Sequence, residues 1–250
     1  MSRLDEIEQE LARLHEELHA LREVPDPPKR TRYFLDTEFL IDQREINPIS
    51  IGIISENGRE FYAVVNDLLI LRRCLAHSWQ GMVTEVLDQL PVMITPSEVR
   101  WNRAHPEFAA VMSAEQVEQA LRTYLDPSKY GKPELWAYYG ADDWNCLRLL
   151  LGGLDWSESL LNTYPHHFNE IKQLLNEVGN PRWDQLLHVA DREHHALHDA
   201  RMARRIYWYA QALTYHLTTT DHPPHIGSFL LCEDEVCVQR KQRLELRIGV

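Results

Sequence analysis

Leu4, Ile7, Leu11, Leu14, Leu18 and Leu21 alternate steps of three and four residues along the first part of the chain. This is an a/d heptad seam over three heptads, and the Glu, Gln, Arg and His between its members suit a solvated helix surface. A stripe this narrow fits a partner helix better than the wider face that a globular core requires. Residues 1–25 are therefore expected to form a coiled-coil helix joining two copies of the chain, ended by Pro25, Pro27 and Pro28. A helix folded back on its own domain is the alternative reading.

Beyond a short linker, residues 26–31, the period changes from helical to alternating. Tyr33-Phe34-Leu35 runs into an acidic cluster, Asn47–Ser55 is apolar and β-branched, and Asn57-Gly58 is a hairpin turn before Phe61–Val65. Residues 32–66 thus predict three consecutive strands, at least two of them antiparallel. Residues 67–126 predict helices over Leu68–Trp79, Met82–Leu90 and Ser113–Leu125, the last opened by a Ser113/Gln116 capping box. Glu134–Tyr139 predicts a short buried strand, followed by helices over Asp143–Leu151 and His167–Val178, the latter stopped by Gly179-Asn180-Pro181. A last long helix is predicted over Glu193–His216, with Ala196, Ala200, Ala203, Tyr207 and Ala210 on one face. Strands followed by alternating helices and strands indicate an α/β fold with a mixed β-sheet. The main domain is read as residues 32–216, and residues 217–250 as a C-terminal extension in which Leu244, Leu246, Ile248 and Val250 alternate as an edge strand does.

Composition narrows the function classes. The chain has 250 residues, 44% of them hydrophobic and 26% charged, which is ordinary for a folded domain, and its 38 acidic against 26 basic side chains give a net charge of −12. An acid excess argues against a protein that coats nucleic acid by phosphate neutralisation. It leaves room for an enzyme that reaches nucleic acid through cations. MSRLDEIEQE has no apolar signal region, no run approaches the ~20 residues of a membrane span, and the four cysteines suggest no disulfide framework, so a cytoplasmic, reduced setting is expected. His222, His225, Cys232 and Cys237 match no standard zinc spacing and read as turn histidines and buried thiols.

The candidate chemistry is acidic. Asp36 and Glu38 lie two apart at the expected end of the first strand, so both carboxylates project to one face. Like charges so placed are costly unless a cation separates them. Asp142 and Asp143 repeat the placement after the second buried strand, where a helix begins and its dipole favours an acid; N-capping accounts for one of them. In His194-His195-Ala196-Leu197-His198-Asp199 an imidazole precedes a further carboxylate by four or five residues. Hard oxygen ligands suit Mg²⁺ or Mn²⁺, two such ions can serve phosphodiester cleavage, and a histidine titrating near neutrality suits a general base.

The segments LDTEF, GADDWNCL and HHALHDAR together resemble the DEDD superfamily of 3′-5′ exonucleases, in its histidine (DEDDh) subtype, and INPISIGIISENGREFYAV resembles the small stand-alone mycobacterial-type exoribonucleases of that group. The resemblance covers about residues 32–210. It implies a ribonuclease H-like mixed sheet flanked by helices, and two Mg²⁺ or Mn²⁺ ions held by Asp36, Glu38, Asp143 and Asp199. The resemblance prefers Asp143 to Asp142, because the family's aspartate is followed four positions on by a hydrophobic residue, here Leu147. The family's spacing makes His194 the general base, whereas helix geometry alone favours His195 with Asp199; His194 serves only if it precedes the regular helix. Phe39 and Leu40 are candidates to wedge against a terminal base, with a core role equally open for Phe39. Trp101, Arg103 and Arg201, and the basic runs Lys29–Arg32 and Arg240–Arg247, are weaker candidates for contacts to nucleic acid, ordinary packing or surface roles being favoured. The expected substrate is a single-stranded RNA 3′ end, with release of nucleoside 5′-monophosphates. A DNA end or a short oligonucleotide is the alternative, and a non-catalytic interaction protein a more distant one.

Overall fold

Tyr33, Phe34 and Leu35 are consecutive and all fully buried, so β1 (Arg30–Asp42) must be covered on both faces. The computed structural model describes residues 30–42, 45–76, 80–95, 98–138, 140–152, 168–171 and 194–219. β2 (Glu45–Ser55) runs antiparallel to β1, and β3 (Glu60–Val65) antiparallel to β2. Between them Gly58 takes φ +84°, the left-handed conformation that makes glycine the natural residue of this turn. The chain then leaves the sheet for α1 (Leu68–Ala76), α2 (Gln80–Gln89) and a hairpin of β4 (Val92–Thr95) and β5 (Glu98–Trp101). A 3₁₀ turn over Pro106–Ala110 leads to β6 (Val111–Met112), which pairs parallel to β3. α3 (Ala114–Tyr124), the short α4 (Pro127–Tyr130), β7 (Lys132–Ala137), α5 (Gly140–Leu150), β8 (Phe168–Glu170) and α6 (Ala196–Thr219) follow.

The result is an α/β fold with a six-stranded mixed sheet in the order β6-β3-β2-β1-β7-β8, in which β7 is parallel to β1 and β8 parallel to β7. On one face Tyr33, Leu35, Ile51, Ile53 and Leu135 meet Val117 and Leu121 of α3 and Trp144, Leu147 and Leu150 of α5. On the other, Phe34 and Ile54 meet Ala200, Ala203, Ile206, Tyr207 and Ala210 of α6. The alanine face read from sequence is the buried one, and its small side chains bring the helix axis close to the strands. A third core gathers Leu40 and Ile49, at the far end of the β1–β2 pair, with Leu71, Val86, Leu87 and Val99 of the excursion between β3 and β6.

Several expectations need correction. Residues 67–126 are not wholly helical, because the β4–β5 hairpin and β6 lie within them. Residues 168–170, expected as the start of a helix, form β8 instead, since their backbone completes the ladder beside β7. Asp36 and Glu38 lie within β1, which runs on to Asp42, and not at its end. The last helix continues to Thr219, so a boundary at residue 216 falls inside it. The Ser113/Gln116 capping box is present as read, with both hydrogen bonds made. The coiled-coil helix over 1–25, residues 172–178 of the helix expected there, the Arg240–Arg247 run and the tail's His and Cys residues lie outside the described residues.

Candidate active site

The site begins where one strand outruns its neighbour. β7 pairs with β1 from Arg30 opposite Lys132 to Phe34 opposite Trp136, while β1 continues. Among the described residues no strand pairs with the β7 side of β1 from Leu35 onward, so the backbone N–H groups there need other partners. Thr37 finds one in Asp143: its N–H donates to Asp143 Oδ1 at 2.9 Å and its hydroxyl to the same oxygen at 2.6 Å. Asp143 is buried in the first turn of α5, where the helix amides favour a negative charge, and Asp142 beside it is exposed.

Asp36 shares its face of β1 with Phe34, the face covered by α6. Asp199 lies in the first turn of that helix. One carboxylate oxygen each from Asp36, Glu38 and Asp199 come within 4.8 Å of one another. Asp143 stands beside this trio and acts on Asp36 and Glu38 through its charge. Opposite Glu38 on β2, Ser50 has a buried Oγ with no hydrogen-bond partner among the described residues.

The electrostatics of this cluster are those of crowded carboxylates that meet no counter-charge among the described residues. Burial, then the charges of Asp143, Glu38 and Asp199, hold the Asp36 carboxyl well above the ordinary range. Burial, then Asp199 and Asp143, push Glu38 to about 8. Burial raises Asp143 to about 7 even though the Thr37 hydrogen bonds oppose it, and Asp142 adds to the rise. Among the described residues, none of the charges acting on these three is positive. Three convergent carboxylate oxygens, a fourth acid alongside and an unpartnered buried hydroxyl make a hard oxygen donor set, which fits Mg²⁺ or Mn²⁺ better than a soft, thiolate-seeking metal. The nearby Cys146 thiol, pushed up to about 12 chiefly by burial, stays protonated.

The two histidines have different surroundings. His195 is 2% exposed and sits immediately before α6, where its Nδ1 accepts the His198 N–H at 3.4 Å in the manner of an N-cap. That bond places the ring proton on Nε2, which donates to Glu107 Oε2 at 3.2 Å, and the ring stacks on Tyr62 at 4.5 Å. His194 precedes the helix with φ 64°, a conformation uncommon for a residue with a side chain, and its Nε2 is 2.9 Å from Glu85 Oε2 of α2. The excursion between β3 and β6 thus supplies one acid to each histidine.

Other expected contact residues are dispersed. Leu40 is 4% exposed in the third core, so the expectation that it faces a substrate is corrected: its side chain packs against protein. Phe39 is half-buried. It pairs with Pro48 across a register shift, while Glu38 pairs with Ser50, which leaves Ile49 as the extra residue of a bulge. Pro48 has no N–H to offer the ladder, which suits a bulge. Trp101 donates its Nε1–H to Asn66 at 2.7 Å, Arg103 is exposed, and Arg201 holds Glu60 with two bonds of 2.7 Å. The sequence reading missed Thr37, Glu85 and Glu107. Thr37 stood in view as the middle residue of Asp-x-Glu, but its partner is 106 positions away.

Comparison with known proteins adds a family. The model of the 3'-5' exoribonuclease Rv2179c-like domain matches residues 31–211. The 3'-5' exoribonuclease Rv2179c of Mycobacterium tuberculosis strain H37Rv is 36% identical over 151 residues, which is 60% of this chain and 77% of the relative. The 3'-5' exoribonuclease MT2234.1 of strain CDC 1551 matches with the same identity and coverage.

Proposed function

Since the chain belongs to the Rv2179c-like 3′-5′ exoribonuclease family, we propose that its Asp36, Glu38, Asp143 and Asp199 hold two divalent cations, Mg²⁺ or Mn²⁺, at which it cuts the 3′-terminal phosphodiester of RNA. The chain is a 3′-5′ exoribonuclease; the metal chemistry, the ribonuclease H-like fold and the DEDDh subtype are our reading. The observation that carries it is the convergence of Asp36, Glu38 and Asp199 oxygens within 4.8 Å, in a half-buried setting where the charges of the described residues that act on Asp36 are all negative.

When bound, the cations supply the positive charge that makes a water acidic and that stabilises the oxygen leaving phosphorus. The protein does the rest. Asp36 and Glu38 present their carboxylates from one strand, and Asp199 closes the trio from above. Thr37 fixes the rotamer of Asp143 by holding Oδ1 with two hydrogen bonds, which leaves Oδ2 as the oxygen offered to a cation. His194 takes the proton of the attacking water. With Nε2–H donated to Glu85, the free lone pair is on Nδ1, which is the atom that accepts it. Phe39, beside Glu38, stacks against the terminal base. The products are nucleoside 5′-monophosphates and RNA one residue shorter.

We also read residues 1–25 as a coiled-coil helix pairing two copies, and 217–250 as a separate extension. Among the described residues no helix is long and apolar enough to cross a membrane. We read the enzyme as cytoplasmic from its charged N-terminal sequence and its four scattered cysteines. The test is digestion of matched 5′-labelled RNA and DNA oligonucleotides with Mg²⁺, Mn²⁺ or EDTA, the products identified by mass. The reading predicts RNA shortening from its 3′ end with 5′-monophosphates released, and no digestion in EDTA. Activity that persists in EDTA, or 3′-monophosphate products, would overturn it.

A further inference from the structure

Gly52 is paired directly with Asp36 across the β1–β2 ladder, between the isoleucines Ile51 and Ile53. Its backbone does not call for glycine, for it is absent from the positive-φ positions, which among the described glycines are Gly58, Gly131 and Gly152. Space is the reason. A methyl group built on Gly52 would lie closer than 3.0 Å to Leu197 N, Leu197 Cα and the Ala196 carbonyl carbon, a separation that real side chains do not show. All three are backbone atoms of the first turn of α6, so no rotamer change clears them.

We propose that Gly52 is a positioning residue for the cation site. Its missing side chain lets the first turn of α6 rest on the sheet opposite Asp36, and that contact brings Asp199, two residues past Leu197, into reach of Asp36 and Glu38. The strand acids and the helix acid belong to different elements, and Gly52 is where the two backbones touch. The buried alanines Ala196 and Ala200 complete the close approach from the helix side. This inference rests on the proposed role of the three acids as cation ligands.

The test is Mn²⁺ binding by titration calorimetry on the full chain, alongside kcat and KM on RNA. Gly52→Ala has to lift the helix by about an ångström, and misplacement on that scale costs a catalytic group up to about 10²-fold. We expect a 10–100-fold weaker Mn²⁺ affinity and a lower kcat at similar KM, the loss typical when a ligand's support is removed. Because the obstruction is backbone, Leu197→Ala does not restore binding, whereas Asp199→Glu in the Gly52→Ala background regains part of it through a longer reach. Leu125→Ala, which removes a fully buried side chain on the opposite face, lowers stability but leaves Mn²⁺ affinity within twofold. If Gly52→Ala does not fold, Ala200→Ser carries the test, with a several-fold loss expected. Wild-type Mn²⁺ affinity in Gly52→Ala, or in Ala200→Ser should that variant be needed, overturns the proposal. Wild-type affinity in Asp199→Asn would instead overturn the ligand assignment beneath it.

Discussion

Thr37 gives both of its donors to a single oxygen of Asp143, the N–H at 2.9 Å and the hydroxyl at 2.6 Å. The two residues come from different elements, and the bond forms only because β7 ends before β1 reaches Thr37. An otherwise unpaired strand-edge N–H thereby fixes a candidate cation ligand, so the end of one strand determines where the fourth acid points.

Removing the hydroxyl tests that link. Thr37→Val keeps the shape and the backbone N–H but leaves Asp143 Oδ1 one partner short. Loss of such a support typically costs about 10–100-fold in metal affinity or activity. The concentration of Mn²⁺ giving half-maximal RNA digestion is expected to rise by that factor, with the far-UV circular dichroism spectrum unchanged. An unchanged Mn²⁺ dependence would show that Thr37 does not hold the site.

The raised carboxylates make a prediction about pH. Glu38 rises from 4.5 to about 8 and Asp143 from 3.8 to about 7, so in both cases the fold favours the protonated form. Their contribution to stability is complete below about pH 4 and is lost as pH climbs through 7 to 8. Bound cations reverse the preference by favouring the ionised form. The rise in Tm that Mg²⁺ or Mn²⁺ gives over EDTA should therefore be larger at pH 8 than at pH 6. Thermal scans at both values check this, and an equal or smaller rise at pH 8 contradicts it.

The adjacent histidines are expected to fail in opposite ways. His195→Ala loses the helix cap, the Glu107 bond and the Tyr62 stack, which together put its cost at about 1–3 kcal/mol, roughly 2–12 °C in Tm. His194→Ala leaves the helix capped. Its Tm stays near wild type while kcat falls about 10²–10⁴-fold, the usual worth of a general base. Paired measurements of Tm and kcat separate the two roles; a fall in Tm with little change in kcat for His194→Ala would move the base elsewhere.

Phe39 and Leu40 divide similarly. Leu40→Ala empties part of the third core and should cost about 2–5 kcal/mol. Phe39→Ala is expected to raise KM for RNA, because base stacking on an aromatic ring contributes about 1–3 kcal/mol. Steady-state kinetics and urea unfolding on both variants check the split. A Phe39→Ala variant that is destabilised but kinetically normal places that ring in the packing as well.

Much of this was readable in the residues, for reasons that also explain what was not. Asp36 and Glu38 stand two apart after a buried run, and Asp143 and Asp199 lie in the first turns of helices, so strand and helix periodicity drew attention to acids at these places; the resemblance to the exonuclease family, and not periodicity, singled out these four and preferred Asp143 to Asp142. Both His194 and His195 lie before the last helix, which begins at Ala196 and not at residue 193 as expected; a shift of a few residues at a helix start is below what periodicity resolves. The β4–β5 hairpin has two strands of four residues and β8 has three, too short for alternation to stand out from neighbouring helices. Gly52 looks like any glycine in ISIGIIS until a helix is seen to lie on it. The net charge of −12 gains meaning in the same way: four of its acids are the proposed cation ligands, and residues 1–25, with seven acids and three bases, hold another −4.

The central claim, that Asp36, Glu38, Asp143 and Asp199 hold the cations this exoribonuclease works with, is tested most directly by one titration. Mn²⁺ is added to the full chain and to Asp199→Asn, with heat of binding and rate of 5′-labelled RNA shortening recorded on the same samples. The account predicts saturable binding that accompanies the onset of activity in the wild type. In Asp199→Asn it predicts binding weakened at least tenfold and shortening lost by about 10²-fold or more. Wild-type binding and wild-type shortening in Asp199→Asn would contradict it.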